Sequence, residues 1–140
     1  MLRKLTAMIL VALSCTAARA QYSVKLIIDA LPPKHPDDAL YLMGDYNQWN
    51  PNDPDYEFKK DSSGKYVMVG ENVPANTYEI KVTRGSAQTV ECGADGKPID
   101  SRKLTVNSDT TVHLTIAGWA DDFGRPTGYL NRKVTPSSAR

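Results

Sequence analysis

An all-β fold is what this sequence predicts, and three observations carry the prediction. Apolar residues alternate with polar ones along short runs; clusters of Gly, Pro, Asn and Asp separate those runs; and no apolar spacing sustains a helical period over three turns. Seven or eight short antiparallel strands at this spacing make a two-sheet sandwich of the immunoglobulin-like kind, with an open barrel as the nearest rival.

Before the first strand, residues 1–20 read as a secretory signal peptide. Arg3 and Lys4 form a basic start, Thr6 to Ser14 is mostly apolar, and Ala18-Arg19-Ala20 supplies the small residues a signal peptidase reads. The apolar run is too short to span a bilayer, and no later run is long enough. The expectation is a secreted or periplasmic protein. A second reading makes Cys15, after Leu13-Ser14, the lipidated cysteine of a lipoprotein, although Ala12 stands where a larger aliphatic residue is usual.

From Gln21 the elements follow in order. Tyr22, Val24, Leu26 and Ile28 alternate with Ser23, Lys25 and Asp29 in the first strand, and Ala39 to Met43 form the second. The turn-rich loop Gly44-Asp45-Tyr46-Asn47-Gln48-Trp49-Asn50-Pro51 follows. Tyr56 to Lys60 lead through Asp61-Ser62-Ser63-Gly64, a hairpin connection, to Lys65 to Val69. Val73-Pro74-Ala75-Asn76 then turns the chain into Thr77 to Thr83, with Tyr78, Ile80 and Val82 towards the core and Glu79, Lys81 and Thr83 away from it.

Gln88 to Cys92 reads as another strand, and Asp95-Gly96 as the strongest hairpin signal in the chain. A short strand around Ser101 to Val106, a turn at Asn107-Ser108-Asp109, and Thr111 to Ile116 complete the set. In the last, Val112, Leu114 and Ile116 point inward and His113 outward. Trp119 packs at the end of the sandwich. Beyond it the pattern stops, so residues 21–120 form one domain and 121–140 a disordered tail or linker remnant.

The chain holds 17 Lys and Arg against 16 Asp and Glu. The leader takes three of the basic residues and no acidic one, which leaves 14 against 16, a net charge of −2. That balance argues against a nucleic-acid partner. With Cys15 gone with the leader, Cys92 stands alone and stability must come from packing.

Catalysis finds little purchase. His35 lies in the Pro-rich connector Leu31 to Asp38 and reads as a solvated loop residue, as does the strand residue His113; no G-x-S-x-G elbow and no metal-ligand spacing occurs. The paired acids Asp37-Asp38 and Asp121-Asp122 read as solvated. Asp45, Asn47, Asn50, Asn52, Asp53 and Asp55 are rich in oxygen, but Trp49, Pro51 and Pro54 break the alternation of a helix-flanked calcium loop, whose Gly and closing Glu are absent. Neither a metal nor a cofactor is expected. Binding fits better: the Trp49 indole on its loop offers a flat apolar face to a flat ligand such as a sugar ring, or else tucks under as a small satellite core, and Lys81 offers a long cationic donor.

The order of Gly44-Asp45-Tyr46-Asn47-Gln48-Trp49-Asn50-Pro51, Gly64-Lys65-Tyr66 and Val73-Pro74-Ala75-Asn76-Thr77-Tyr78-Glu79-Ile80-Lys81-Val82 resembles the starch- and glycogen-binding modules of carbohydrate-binding families 20 and 48, which include the glycogen-binding domain of the AMP-activated kinase β subunit. The similarity runs from about Val24 to Ile116. It implies an immunoglobulin-like sandwich that binds α-1,4-glucans without catalysis, as the accessory part of an extracellular hydrolase or esterase. The resemblance assigns ring stacking to Trp49 and hydroxyl contacts to Lys81, with Asn50, Glu79 and Arg84 at the rim.

Two positions depart from the family. Its second Trp, in a Trp-Glu segment, is replaced here by Ala87-Gln88-Thr89-Val90-Glu91, so half of the stacking platform is missing. Tyr46 and Tyr56 are the candidates to replace it. Asn76 stands where related modules often have Gly, and Asn accommodates the left-handed backbone such a turn uses. The alternative is a structural or protein-interaction sandwich that has lost its glucan.

Overall fold

The computed structural model describes residues 19–124, and these form an all-β sandwich. Its strands are β1 (Gln21–Ala30), β2 (Tyr41–Gly44), β3 (Lys59–Lys60), β4 (Tyr66–Pro74), β5 (Asn76–Thr83), β6 (Glu91–Cys92), β7 (Arg102–Val106), β8 (Thr110–Thr115) and β9 (Gly118–Trp119). One sheet has the order β3-β4-β1-β8 and a second β2-β5-β7, with a small β6-β9 ribbon beside the second. Short 3₁₀ turns at Asp45–Asn47, Pro54–Tyr56, Ala87–Thr89 and Ala120–Phe123 fill the connections. No helix among the described residues is long and apolar enough to cross a membrane.

The alternation read in the sequence builds the core. Val24, Leu26 and Ile28 of β1 and Leu114 of neighbouring β8 are buried between the sheets, facing Leu42 of β2, Ile80 and Val82 of β5 and Leu104 and Val106 of β7. Each such side chain contributes about 1.5–3 kcal/mol on leaving water. Trp119 closes the end of this core at 1% exposure, with the Arg84 guanidinium 5.5 Å from its ring centroid.

Two connections explain the topology. A single residue, Ala75, separates β4 in the first sheet from β5 in the second, so the chain changes layers there. The Asn107–Asp109 link likewise carries the chain from β7 back to β8. As a result β8 lies parallel to β1, Val24 opposite Thr110 and Ile28 opposite Leu114, whereas antiparallel pairing was expected throughout. The Asp61–Gly64 hairpin forms as read: Gly64 has φ 83°, and the Asp61 carboxylate accepts hydrogen bonds from Ser63 and Lys65, Ser63 first among the contacts that hold its pKa down.

Several local expectations give way. Asp95-Gly96 does turn the chain, with the Gly96 N–H donating to the Gly93 carbonyl at 2.9 Å, but the turn joins no hairpin. β6 pairs with β9 and β7 with β5, and residues 87–89 are a 3₁₀ turn rather than strand. The left-handed residue near the layer change is Asn72, φ 56°, at the register shift between β1 and β4, and not Asn76. The expected boundary at 120 falls inside packed structure, since Ala120–Phe123 fold back on the sandwich: Ala120 is buried, and a Cβ on Gly96 would collide with the Phe123 ring. The expected signal peptide, apart from residues 19 and 20, and residues 125–140 of the expected tail lie outside the described residues.

Candidate functional site

The loop after β2 is built on Gly44. Its backbone is extended, and a Cβ there would run into the Glu79 carbonyl oxygen and the Tyr46 ring, so only glycine permits the close crossing of β5. Past it, Asn47 is buried and organises the turn. Its Oδ1 accepts from the Gly44 N–H at 3.0 Å, and its carbonyl accepts from the Asn50 N–H at 3.2 Å. The residues between, Gln48 and Trp49, have φ of 55° and 57°. Two left-handed central residues are the pattern of a mirror-image turn, normally built from Gly, Asn or Asp. For a Gln and a Trp that backbone costs about 1–2 kcal/mol each.

The cost places an indole at the surface. Trp49 is 36% exposed, one of three large apolar residues that are exposed among those described, and its backbone N–H is tied to the Gly44 carbonyl at 2.9 Å. Asn50 and Gln48 beside it are exposed as well. The oxygen-rich residues that invite a calcium reading are occupied in holding the loop. Asp45 Oδ1 accepts from the Glu79 N–H, Asn50 Oδ1 from the Asn52 N–H, and Asp53 Oδ1 from the Asp55 N–H, where Asp53 caps the Pro54–Tyr56 turn.

Lys81 lies on the face where the strand alternation put it but is buried there. It does face away from the main core, opposite Met43 of β2, but that outer face is covered. Thr83 on the same face bonds through Oγ1 to the Pro51 carbonyl, and the Glu79 backbone N–H on its other side holds Asp45, so the loop from Asp45 to Pro51 is fastened to the strand on both sides of Lys81, which is 6% exposed. Met43, Val90, Cys92 and Ala120 form a second small apolar cluster. Alternation identifies the face correctly and cannot show that a later segment covers it.

Arg84, expected at the rim, is spent on structure. Its side chain is 7% exposed, with Nε 3.0 Å from Asp38 and Nη1 2.8 Å from Asp121. Glu79 is half-buried and contributes its backbone to the loop. Of the five predicted site residues, the structure therefore places Trp49 and Asn50 at the surface, Glu79 and Lys81 beneath or beside the loop, and Arg84 in an ion-pair network. Val90, where the family carries an indole, is fully buried, and Ala87 is half-buried.

Tyr46 and Tyr56, the candidates to replace that indole, turn the other way. Their rings pack 4.7 Å apart, and Tyr78 meets Tyr46 edge-on at 6.2 Å. The Tyr46 hydroxyl donates to the Leu42 carbonyl; burial, then Tyr56, Asp53 and Asp45, push its pKa strongly upward. All three rings line an apolar cavity of about 220 Å³ between the sheets.

The histidines are both engaged. His35, read as solvated, has φ 61° and places Nε2 2.9 Å from Asp122, because Ala120–Phe123 fold back on its connector. His35, Asp121 and Asp122 thus converge, but Arg84 pairs with Asp121 and Lys34 approaches Asp122 at 3.9 Å, so cationic side chains already neutralise the cluster. The acidic pairs are ion-pair partners as well as largely solvent-exposed charges, as expected: Asp37, bound to Lys60, and Asp38 and Asp121, bound to Arg84, are exposed, and Asp122 is half-buried. His113 is exposed as expected and meets Asp29 at 2.9 Å, the contact that contributes most to holding the Asp29 carboxyl below its usual range.

No protein-family profile matches the chain. It is similar to an α-amylase of Niallia circulans, 39% identical over 95 residues that make up 66% of this chain and 7% of that protein. It is also similar to an amylopullulanase of Thermoanaerobacter thermohydrosulfuricus, 32% identical over 97 residues, 65% of this chain and 6% of that protein. The chain therefore spans less than a tenth of the length of these relatives, and what it shares with them is one region of large carbohydrate-active proteins. Among solved structures, a DUF3823 family protein from Parabacteroides merdae aligns with a TM-score of 0.35 and 15% identity, over 69% of this chain and 47% of that one.

Proposed function

We propose that this chain is a non-catalytic α-glucan-binding module, secreted or periplasmic, of the kind that accompanies an amylolytic or related catalytic domain. One observation carries the reading: Trp49 is held exposed on a strained left-handed turn, where a glycine would be easier and a buried indole more stable. Strain of this sort is retained where the presented group is used. The partial likeness to an α-amylase and an amylopullulanase supports the same ligand class.

In this reading Trp49 stacks on a glucose ring and Asn50 bonds its hydroxyls, with Gln48 at the edge. Lys81, buried between the two points where the loop is fastened to β5, supports the platform, and Arg84 and Glu79 hold the scaffold. One stacking face contributes about 1–3 kcal/mol, which by itself corresponds to a Kd of about 6–200 mM, so a single-indole site is a weak one. Affinity electrophoresis in soluble starch and calorimetry with maltoheptaose test it. Retardation that disappears in folded Trp49→Ala is the expected result; a wild-type protein that starch does not retard overturns the proposal.

One observation favours the second reading, a sandwich retained for protein contact. Val90, at the position of the family's second indole, is buried at 0% exposure and offers a sugar nothing. The same starch experiment separates the two.

A further inference from the structure

Sheet pairing fails at one edge of the sandwich, and a cavity lies beside the failure. β3 pairs with β4 only through Lys59 opposite Val67 and Lys60 opposite Tyr66. Immediately before β3 the chain belongs to the other sheet, since the Phe58 N–H donates to the Leu40 carbonyl at 2.8 Å and Glu57 bridges Tyr41. From Met68 to Pro74 the outer edge of β4 therefore faces no strand among the described residues. Proteins usually blunt such an edge with charge, a bulge or proline; here Glu71, the irregularity at Asn72 and Pro74 blunt its far end, whereas Val69 is 53% exposed on the near part.

The cavity is of a size and character to seat one side chain. Its volume is about 220 Å³, with Val24, Leu26, Leu42 and Leu104 among its walls and Met68, Val69, Gly70, Val73 and Pro74 of the unpaired edge along one side. Small-molecule pockets run to about 300–1,000 Å³, and about 150 Å³ already holds a benzene ring. The volume suits a single leucine or aromatic anchor.

Charge narrows the occupant. Asp55 stands on the cavity lining, no Lys or Arg does, and Asp45 and Asp53 lie close enough to Tyr46 to add to its raised pKa. Glu71 is exposed on the edge itself. Of the nearby lysines, Lys59 is taken by Glu57 at 2.9 Å and Lys60 by Asp37 at 2.8 Å, while Lys25, opposite Val69 on β1, is exposed on the outer face and not on the cavity lining. In the two relatives the shared region is 7% and 6% of the protein, so such a region lives among other domains.

We propose that the outer edge of β4 from Met68 to Val73, with the cavity beside it, is a docking site for an extended, basic peptide segment of a partner domain. The segment adds as a strand to β4, seats one apolar side chain against Tyr56, Tyr78 and Met68, and sets its Lys or Arg residues against Asp55 and Glu71. Backbone pairing supplies affinity and the anchor pocket supplies selectivity. The site is separate from the Trp49 surface and does not depend on glucan binding.

The test is an NMR titration of the protein with the synthetic peptide acetyl-Lys-Val-Lys-Leu-Lys-Val-Lys-amide. Shift changes confined to Met68–Val73, Tyr56 and Tyr78, at least tenfold weaker binding when the central Leu is Ser, and at least tenfold weaker binding by Val69→Lys are expected. Val69 is exposed, so that variant keeps its fold, which the unperturbed remainder of its spectrum verifies. Equal affinity for the Ser peptide, with shifts spread over every acidic surface, overturns the proposal, as does concentration-dependent pairing of two copies through β4. Starch retardation unchanged in Val69→Lys keeps the two sites distinguishable.

Discussion

The Trp49 backbone N–H donates to the Gly44 carbonyl at 2.9 Å, closing a loop whose tip is left-handed at both Gln48 and Trp49. This backbone bond ties the residue that carries the surface indole to the one that lets the loop cross β5, so presentation of the ring and fit of the crossing are a single arrangement.

Replacing Trp49 by glycine should separate stability from binding. Glycine adopts the left-handed backbone without the Cβ clash, which relieves about 1–2 kcal/mol. Trp49→Gly is therefore expected to melt no lower than the parent and to lose starch retardation. Thermal unfolding and affinity electrophoresis on the same sample check both halves.

Gly44→Ala should disorganise the loop from its root. The added methyl meets the Glu79 carbonyl and the Tyr46 ring, and overpacking of this kind costs about 1–3 kcal/mol. Trp49 fluorescence should shift along with the loss of stability, while an alanine at exposed Asn52 leaves both unchanged.

Glu91 is the most completely buried charge among the described residues. Its carboxylate accepts from Arg102 Nη2 at 2.7 Å and from the Val82 N–H at 3.1 Å, and this bonding to Glu91 is the largest cause of the raised Arg102 pKa. Arg102→Ala strands the charge, a change that costs about 3–5 kcal/mol. Urea unfolding at neutral pH should show the loss, with Lys103→Ala on the same strand as an unaffected control.

Stability should fall on the alkaline side. Burial, and then the nearby carboxylates led by Asp95, push the Cys92 thiol from 9.0 up to about 11. The unfolded chain gives up that proton first, so the contribution is intact below pH 9 and is lost as the pH rises from 9 to about 11. Tyr46, Tyr66 and Tyr78 are likewise raised above 10, chiefly by burial, and extend the decline. Cys92→Ala should flatten the first part of the curve, and the native thiol should resist a thiol reagent at pH 8.

The strands carrying the core were readable because a half-buried strand writes its environment at period two. Val24, Leu26 and Ile28 show it in β1, and Ile80 and Val82 in β5. The Asp61–Gly64 hairpin was readable because its chemistry is local. Asp95-Gly96 misled for the complementary reason: the dipeptide makes a turn, but whether the flanking strands pair depends on β9 and β5, which come from elsewhere in the chain.

Trp49 and its turn-rich loop were visible in the residue order, as was the outward face of Glu79, Lys81 and Thr83. Local sequence dictates backbone preference and the alternation of faces, and so it yielded the sandwich and the candidate indole. The tertiary structure alone decided which outward residues remain outside. It fastened Asp45–Pro51 at Glu79 and Thr83 on either side of buried Lys81, folded Ala120–Phe123 back onto His35 and Arg84, and drew Phe58 across to the start of β2, leaving the edge of β4 unpaired among the described residues. Burial belongs to a pair of segments, and a strand's own sequence holds only one of them.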